Sequence, residues 1–211
     1  MEYTINIKGR LMDLSTPQVM GILNVTPDSF YSGSRKQTEM EIAQRANQII
    51  EEGGSIIDVG AFSTRPGADE VSEEEEGRRL KFALDIVRRE QPDAAVSVDT
   101  YRPTLARKCI EEWGADIIND VSEGGITGIV NVPLEQRQEE YPEMFRVVGE
   151  LKVPYILMSV QPTLETMMKG FAKEVQQLRD LGAKDIILDP GFCFGKNLIQ
   201  NYQIYNEMEK L

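Results

Sequence analysis

The chain has 211 residues and a hydrophobic content of 41%, enough to build one large packed domain or two small ones. Its formal net charge is −12, so a polyanion such as nucleic acid would be repelled at long range, and no run of Lys or Arg offsets that repulsion. The sequence contains no histidine, which excludes a Ser-His-Asp or Cys-His site and any histidine-ligated metal within this chain.

Features of membrane insertion and secretion are not evident in the sequence. No apolar run approaches the roughly 20 residues that cross a bilayer. Residues 1–15 lack the basic start and the apolar core of a signal peptide. Cys109 and Cys193 lie outside any CxxC spacing, and we expect them to be reduced and to serve packing. We therefore expect a cytoplasmic protein with no membrane or nucleic-acid partner.

The predicted strands are separated by helical stretches in a regular alternation. A short hairpin is expected within residues 5–15, and a first buried strand over residues 21–24. Three later segments each contain a Gly, a short spacer, an Ile-Ile pair and then a carboxylate or amide, which predicts strands buried on both faces that end at the polar residue. These segments are 53–60, 113–120 and 181–190, and strands over 94–100 and 152–160 follow a similar pattern.

Amphipathic helices are predicted between these strands. Their ranges are 38–52, 73–90, 102–113, 141–151 and 163–181, with a last helix from about Leu198 to the C-terminus. The EEEE run at 73–76 is predicted to open the second helix, where carboxylates favour the positive end of the helix dipole. The alternation implies parallel strands joined by right-handed crossovers.

Nearly every predicted strand ends in a polar residue. These residues are Asn24, Asp58, Asp99, Asn119 with Asp120, Ser159 and Asp189. A doubly wound sheet usually carries its ligand residues at one switch point, whereas ligand-facing residues at many strand ends are typical of a (β/α)8 barrel. We therefore predict an α/β fold of the TIM-barrel type as a single domain over residues 1–211. Because only six βα units are predicted, the barrel is expected to be incomplete at its C-terminus.

Several loops contain more polar or Gly residues than a plain turn requires. Residues 24–30, NVTPDSF, follow the first strand directly and indicate that something polar is bound there. Residues 189–196, DPGFCFGK, join a strand end to a helix with two glycines, which can bring the backbone close to a flat ligand. Residues 122–128, SEGGITG, are interpreted as a loop. The sequence has no P-loop, and no G-x-G-x-x-G follows a strand.

Five motifs occur together in one order and at suitable strand ends. They are NVTPDSF (24–30), FSTRPGA (62–68), SVDT (97–100), INDVS (118–122) and LDPGFCFGK (188–196). This set resembles dihydropteroate synthase of the folate pathway, and the resemblance covers residues 5–211. It implies a (β/α)8 barrel and a transferase that joins 6-hydroxymethyl-7,8-dihydropterin pyrophosphate to p-aminobenzoate with Mg²⁺ present. Sulfonamides act on this family by mimicking p-aminobenzoate.

The resemblance implies a pterin site built from acceptors on rigid elements. Asp99, Asn119 and Asp189 resemble the family's pterin-binding residues, and Thr64 and Phe194 are expected to contact the pterin as well. The plainer alternative is a helix cap or turn former for the three strand-end residues and a core aromatic for Phe194.

The resemblance also implies a metal ligand and two loops for the diphosphate and the aromatic acid. Asn24 corresponds to the family's Mg²⁺ ligand. Arg65 is expected to face an oxyanion and to act in the reaction together with Asp99 and Asp189, although a surface arginine in a Pro-Gly turn is the alternative. The residues assigned to the loops are Thr26, Pro27, Asp28, Ser29, Phe30, Ser63, Arg65 and Pro66. A dissociative reaction needs no covalent enzyme intermediate, which fits the lack of a Ser-His or Cys-His nucleophile.

The sequence departs from the family pattern at several places. The family's Ser-Arg-Lys and Arg-x-His segments after its seventh and eighth strands are not found here. Ser32 replaces an acid, and residues 158–160 replace a segment with a histidine, while residues 125–140 have no assigned role. Three alternatives follow: a truncated chain, completion by a partner chain, or a non-catalytic pterin-binding chain. A corrinoid-type pterin-binding methyltransferase is a further alternative, and a homodimer is expected for the full-length family member.

Overall fold

The computed structural model describes residues 3–25, 35–62, 71–125 and 141–211. The chain divides into two compact units, Met1–Asn119 and Asp120–Leu211. The first unit opens with the predicted hairpin, in which β1 (Thr4–Ile7) pairs antiparallel with β2 (Arg10–Asp13). Gly9 adopts a φ of 84° in the turn, a conformation that suits glycine. A single domain over 1–211 stays a prediction.

The remaining strands and the helices alternate as predicted. The strands are β3 (Met20–Asn24), β4 (Ile56–Gly60), β5 (Ala95–Asp99), β6 (Ile117–Asp120), β7 (Tyr155–Met158) and β8 (Ile186–Asp189), and their order is that of the chain. The helices are α1 (Arg35–Glu51), α2 (Glu73–Glu90), α3 (Pro103–Glu111), α4 (Glu143–Leu151), α5 (Leu164–Asp180) and α6 (Leu198–Asn206). The described residues thus contain six βα units. None of the helices in these ranges is long and apolar enough to cross a membrane.

In the first unit, one face of the parallel strands packs against helices. Leu23, Val59 and Val98 pair across β3, β4 and β5 and belong to one buried cluster. Since side chains alternate along a strand, the residues that follow them point to the other face of the sheet. The helix side of the cluster comes from α1, α2 and α3, with Ile42, Ala46, Ile49, Leu80, Leu84, Val87, Leu105 and Cys109. Burial also raises the pKa of the Cys109 thiol, which fits the predicted packing role, whereas Cys193 is exposed and the packing prediction is wrong for it.

Helix α2 begins where the sequence predicts. The Ser72 hydroxyl accepts a hydrogen bond from the Glu75 backbone N–H, and four glutamates fill the first turn. Arg88 and Arg89 lie in the last turn. The acidic first turn and the basic last turn therefore both interact favourably with the helix dipole. The acidic first turn is local in sequence, which is why it could be predicted, whereas the Ser72 cap was not predicted.

In the second unit, β7 pairs parallel with β8, and α4, α5 and β7 supply most of the buried apolar residues. Phe145 and Tyr155 are fully buried and meet edge to face, with ring centroids 6.0 Å apart. The prediction of a strand buried on both faces is wrong for β8, whose four residues are all half-buried. The residues of β8 are partly exposed because β8 is the last strand in the order of the described strands.

Helix α6 differs from its prediction at its end. It starts at Leu198 as predicted, behind a capping box in which Asn197 and Gln200 each bond the other's backbone N–H. It stops at Asn206, and a 3-10 turn at Met208–Lys210 follows, so the predicted helix does not run to the C-terminus.

Candidate active site

Four positions at the C-terminal ends of β3 to β6 form one row in the first unit. Asn24 pairs in register with Gly60, Gly60 with Asp99, and Asp99 with Asn119. A Cβ atom on Gly60 would lie 3.0 Å from Asn24 Oδ1 and 3.5 Å from Asp99 Oδ2. The absence of a side chain at Gly60 therefore leaves space between the Asn24 amide and the Asp99 carboxylate.

The orientation of the Asn119 amide is set by Asp58, which the sequence analysis named as a polar strand end but did not include among the site residues. Asn119 donates a hydrogen bond from Nδ2 to Asp58 Oδ2 at 3.1 Å. An ionised carboxylate only accepts, so the amide nitrogen is directed at Asp58 and the amide oxygen is the acceptor offered to a ligand. The signal for Asp58 is its place two residues before Gly60, which predicts the same face of β4.

The carboxyl group of Asp58 is buried, and burial disfavours its charged form. Asp58 is 5% exposed, and this burial raises the pKa of its carboxyl group. The Asn119 amide, which donates to the carboxylate, and the nearby Ser97 hydroxyl act in the opposite direction. Ser97 pairs in register with Asp58 and lies two residues before Asp99 on β5. Asp58 therefore lies beside Ser97 and is bonded to Asn119, which belongs to the row.

The end of β3 fits a weakly held Mg²⁺ ion. Asn24 is exposed at the strand end, and its amide oxygen faces the open space at Gly60. Mg²⁺ favours oxygen ligands and keeps several waters, so a single amide oxygen is a reasonable protein ligand beside substrate phosphates. Within the described residues, no group of three or more His, Cys, Asp or Glu side chains is placed to hold a metal ion.

Asp189 ends β8 and organises the loop that follows. Its Oδ1 accepts the Gly191 N–H at 2.8 Å, and its carbonyl accepts the Ser159 N–H at 2.9 Å. The second carboxylate oxygen can accept a hydrogen bond from a ligand. Phe194, in the same loop, is half-buried, and its N–H donates to the Gly191 carbonyl at 3.1 Å.

A buried carboxylate fixes the turn after β6. Asp120 accepts hydrogen bonds from the Ser122 hydroxyl at 2.6 Å, from the Gly124 N–H at 2.8 Å and from the Tyr155 hydroxyl at 2.7 Å. Burial raises the pKa of Asp120, and it raises that of Tyr155 as well. Because Asp120 is completely enclosed and several donors face it, its role is to shape the turn that begins at the strand end.

Two further acids are buried close to each other in the second unit. Glu123 is 1% exposed and accepts hydrogen bonds from the Ser159 hydroxyl and the Val160 backbone. Glu174, on α5, is 7% exposed, and burial raises its pKa to about 7, with the charge of Glu123 acting in the same direction and Lys173 opposing it. This pair therefore holds more protons in the folded chain than in the unfolded chain.

Replacement of Glu174 with glutamine is expected to remove part of the pH dependence of stability. Because the folded pKa of about 7 lies above the ordinary glutamate pKa of 4.5, the contribution of Glu174 to stability is lost as pH rises from the lower to the higher pKa. The free energy of unfolding of the variant should equal that of the wild type near pH 4.5. At pH 8 it should exceed that of the wild type by roughly 1–3 kcal/mol. Urea unfolding across pH measures this.

Glu165→Gln is the matched control, because it removes the same charge from an exposed position on the same helix. It should leave the slope of stability against pH unchanged. An equal slope in the wild type and in Glu174→Gln would contradict the prediction.

The described residues include five of the predicted site positions. Asn24, Asp99 and Asn119 come together in the row of the first unit, whereas Asp189 and Phe194 share one loop of the second unit. The others lie outside the described residues, and their roles stay predictions: Thr26, Pro27, Asp28, Ser29, Phe30, Ser63, Thr64, Arg65 and Pro66. Residues 126–140 lie outside them too.

Comparison with known proteins points to one enzyme class. A family model described as pterin binding enzyme matches residues 20–211. Dihydropteroate synthase of Escherichia coli K12 is 36% identical over 212 residues, which covers 93% of this chain and 69% of that protein. The chain also resembles solved structures of Xanthomonas albilineans dihydropteroate synthase. The one with 4-aminobenzoic acid has a TM-score of 0.82 at 30% identity, covering 100% of this chain and 74% of the other. The one with 7,8-dihydropteroate has a TM-score of 0.78 at 27% identity, covering 99% and 73%.

These matches define the chain as a pterin-binding enzyme of the α/β, TIM-barrel class, which confirms the predicted fold class. More narrowly, the chain belongs to the dihydropteroate synthase family, whose members are transferases. The relatives described above favour the synthase over the corrinoid-type methyltransferase that the sequence left open.

Proposed function

We propose that this chain condenses 6-hydroxymethyl-7,8-dihydropterin pyrophosphate with p-aminobenzoate, giving 7,8-dihydropteroate and pyrophosphate. The observation that carries the proposal is the row at the strand ends, where Asp99 and the oriented amide of Asn119 present acceptors side by side. The family membership and the names of the relatives support the same reaction.

The pterin is recognised through hydrogen-bond donors on its aminopyrimidine edge. Acceptors on rigid strand ends suit that edge, and we assign Asp99, Asn119 and Asp189 to it. For Asn119 the bond to Asp58 supports this role, because it engages the amide nitrogen and leaves the amide oxygen as the acceptor for the proposed pterin contact. Thr64 and the ring of Phe194 complete the proposed pterin contacts.

The proposed reaction is dissociative at the methylene carbon. The C–O bond to the diphosphate breaks, and its electron pair leaves with pyrophosphate. The positive charge left on the methylene is shared with the pterin ring and is eased by the carboxylates of Asp99 and Asp189. The amine lone pair of p-aminobenzoate then forms the C–N bond, and the nitrogen releases a proton.

The diphosphate and the aromatic acid are assigned to the two loops of the family pattern. Arg65 offers a forked guanidinium to an oxyanion. The remaining assigned loop residues are Thr26, Pro27, Asp28, Ser29, Phe30, Ser63 and Pro66. Asn24 would hold Mg²⁺, which supplies positive charge to the diphosphate when it is bound.

Three broader features belong to the same proposal. The family resemblance favours a homodimer for the full-length protein. A cytoplasmic location is part of the proposal, in line with the acidic composition. Its partners are then small molecules, with no nucleic acid and no membrane.

The test is pyrophosphate release by the 211-residue chain from the pterin pyrophosphate. We expect release only when Mg²⁺ and p-aminobenzoate are both present, and competition by a sulfonamide. The matched control is 4-nitrobenzoate, which keeps the carboxylate and the ring but has no amine to attack. Equal release with 4-nitrobenzoate would contradict the proposed transfer.

The absence of release from a chain that is folded by circular dichroism would also contradict it. Pterin binding measured by calorimetry on the same sample would then identify the non-catalytic pterin-binding alternative.

A further inference from the structure

The loop after β8 is closed around the ammonium group of Lys196. Lys196 Nζ donates to the carbonyl oxygens of Ser159 at 2.7 Å, Gly191 at 3.0 Å and Phe194 at 3.1 Å. A lysine ammonium has three N–H donors, so all of them are directed at backbone carbonyls. Lys196 is half-buried, and its charge therefore sits in a cage of three carbonyl dipoles rather than in bulk water.

The backbone of this loop brings those carbonyls together at close range. Gly191, Cys193 and Gly195 all have a positive φ, at 60°, 71° and 63°. A Cβ atom on Gly191 would lie 2.3 Å from the Ser159 carbonyl oxygen, so the loop lies directly against the end of β7. Carbonyl oxygens that converge in this way repel one another unless a donor or a cation lies between them.

A buried carboxylate, that of Glu123, favours the charged form of the Lys196 ammonium group. Glu123 is 1% exposed, has a φ of 54°, and accepts hydrogen bonds from Ser159 and from the Val160 backbone. Burial lowers the pKa of Lys196, and the negative charges of Glu123 and Asp189 oppose that effect. Gly191 links the cage to Asp189, because its carbonyl accepts from Lys196 and its N–H donates to Asp189 Oδ1.

We propose that Lys196 is a positioning residue for pterin binding. Its ammonium group fixes the carbonyls of Gly191 and Phe194 against β7, and this places the Asp189 carboxylate and the Phe194 ring for the ligand. The inference rests on the proposed function, because it assumes that Asp189 and Phe194 meet a pterin. It goes beyond that function in assigning a purely structural cation to the site.

The test uses Lys196→Ala, which removes the ammonium group and leaves room for a small alkylammonium ion. The dissociation constant for 6-hydroxymethylpterin should rise about 10-fold to 100-fold, and KM for the pterin substrate should rise more than KM for p-aminobenzoate. Propylammonium chloride at tens of millimolar should restore much of the pterin affinity. Lys196→Met is the matched variant, since its side chain fills the stem space without a charge and should not be rescued.

One further measurement and one control variant keep the inference separate from the proposed function. Hydrogen exchange of the Gly191 and Phe194 amides, both hydrogen-bonded in the wild type, should accelerate in Lys196→Ala and slow again with propylammonium. This readout needs no pterin, so it reports on the loop even if the wild type binds none. Lys184→Ala, an exposed lysine of the same unit, should change neither exchange nor affinity.

The inference would be overturned if Lys196→Ala had the same hydrogen-exchange rates and the same pterin affinity as the wild type. Lower stability with unchanged pterin affinity would overturn it equally, because that result indicates packing alone. If Lys196→Ala does not fold, the comparison rests on Lys196→Arg and Lys196→Met, and equal pterin affinity in these two variants would contradict the need for a cation.

Discussion

Replacement of Asp189 with asparagine is expected to weaken pterin binding by about 100-fold, or roughly 2.7 kcal/mol, with little loss of stability. Asparagine keeps the shape of the side chain, and its amide oxygen can still accept the Gly191 N–H that Asp189 Oδ1 accepts at 2.8 Å. The amide NH₂ group then takes the place of the second carboxylate oxygen. It would face pterin N–H donors with another donor and would carry no charge to ease the developing cation.

Calorimetric titration with 6-hydroxymethylpterin and urea unfolding of the same variant measure the two effects separately. Asp180→Asn is the control, because it removes the same charge from an exposed residue at the end of α5. It should bind the pterin like the wild type. Unchanged affinity in Asp189→Asn would remove Asp189 from the proposed site.

Replacement of Gly191 with alanine is expected to destabilise the second unit by about 2–4 kcal/mol and to weaken pterin binding. The added Cβ atom would lie 2.3 Å from the Ser159 carbonyl oxygen and 2.9 Å from Met158 Cγ. The Ser159 oxygen is backbone at the end of β7, so it cannot move aside as a flexible side chain can. The loop itself must shift, and with it the contacts that Gly191 makes to Asp189 and Lys196.

The variant Gly195→Ala measures the destabilisation that comes from the positive φ alone, without the close contact to the Ser159 carbonyl oxygen. Gly195 has a φ of 63°, almost the same as the 60° of Gly191, but its added Cβ would lie 3.2 Å from the nearest atom, the Val160 carbonyl oxygen. This variant should lose only about 1 kcal/mol, the cost of the left-handed conformation. Urea unfolding of both variants tests the difference, and equal losses would show that the contact with Ser159 is not decisive.

The secondary structure was predictable because its signals lie close together in sequence. Helix α2 was predicted at its observed bounds from its acidic first turn and its apolar spacing. The start of α6 was predicted, but its end at Asn206 was not, since no Gly or Pro follows it as a stop signal. The half-buried state of β8 was missed because a sequence pattern does not reveal which strand ends the sheet.

The chemistry of the strand ends was predictable in type but not in geometry. The sequence places Asn24, Asp99 and Asn119 each at the end of a strand, and the parallel alternation predicts that such ends share one edge. It does not reveal the register, which decides that Gly60 stands between Asn24 and Asp99 and leaves space there. Register depends on how strands that are distant in sequence pack together.

By itself, then, the sequence determined the alternation of strands and helices, the polar strand ends and the resemblance that identified the family. Only the tertiary structure decided which polar groups act on one another. Asp58 orients the amide of Asn119 across 61 residues of sequence, and Lys196 reaches the Ser159 carbonyl across 37. The physical reason is that hydrogen bonds and burial depend on distances in the folded chain, which periodicity and motifs do not specify.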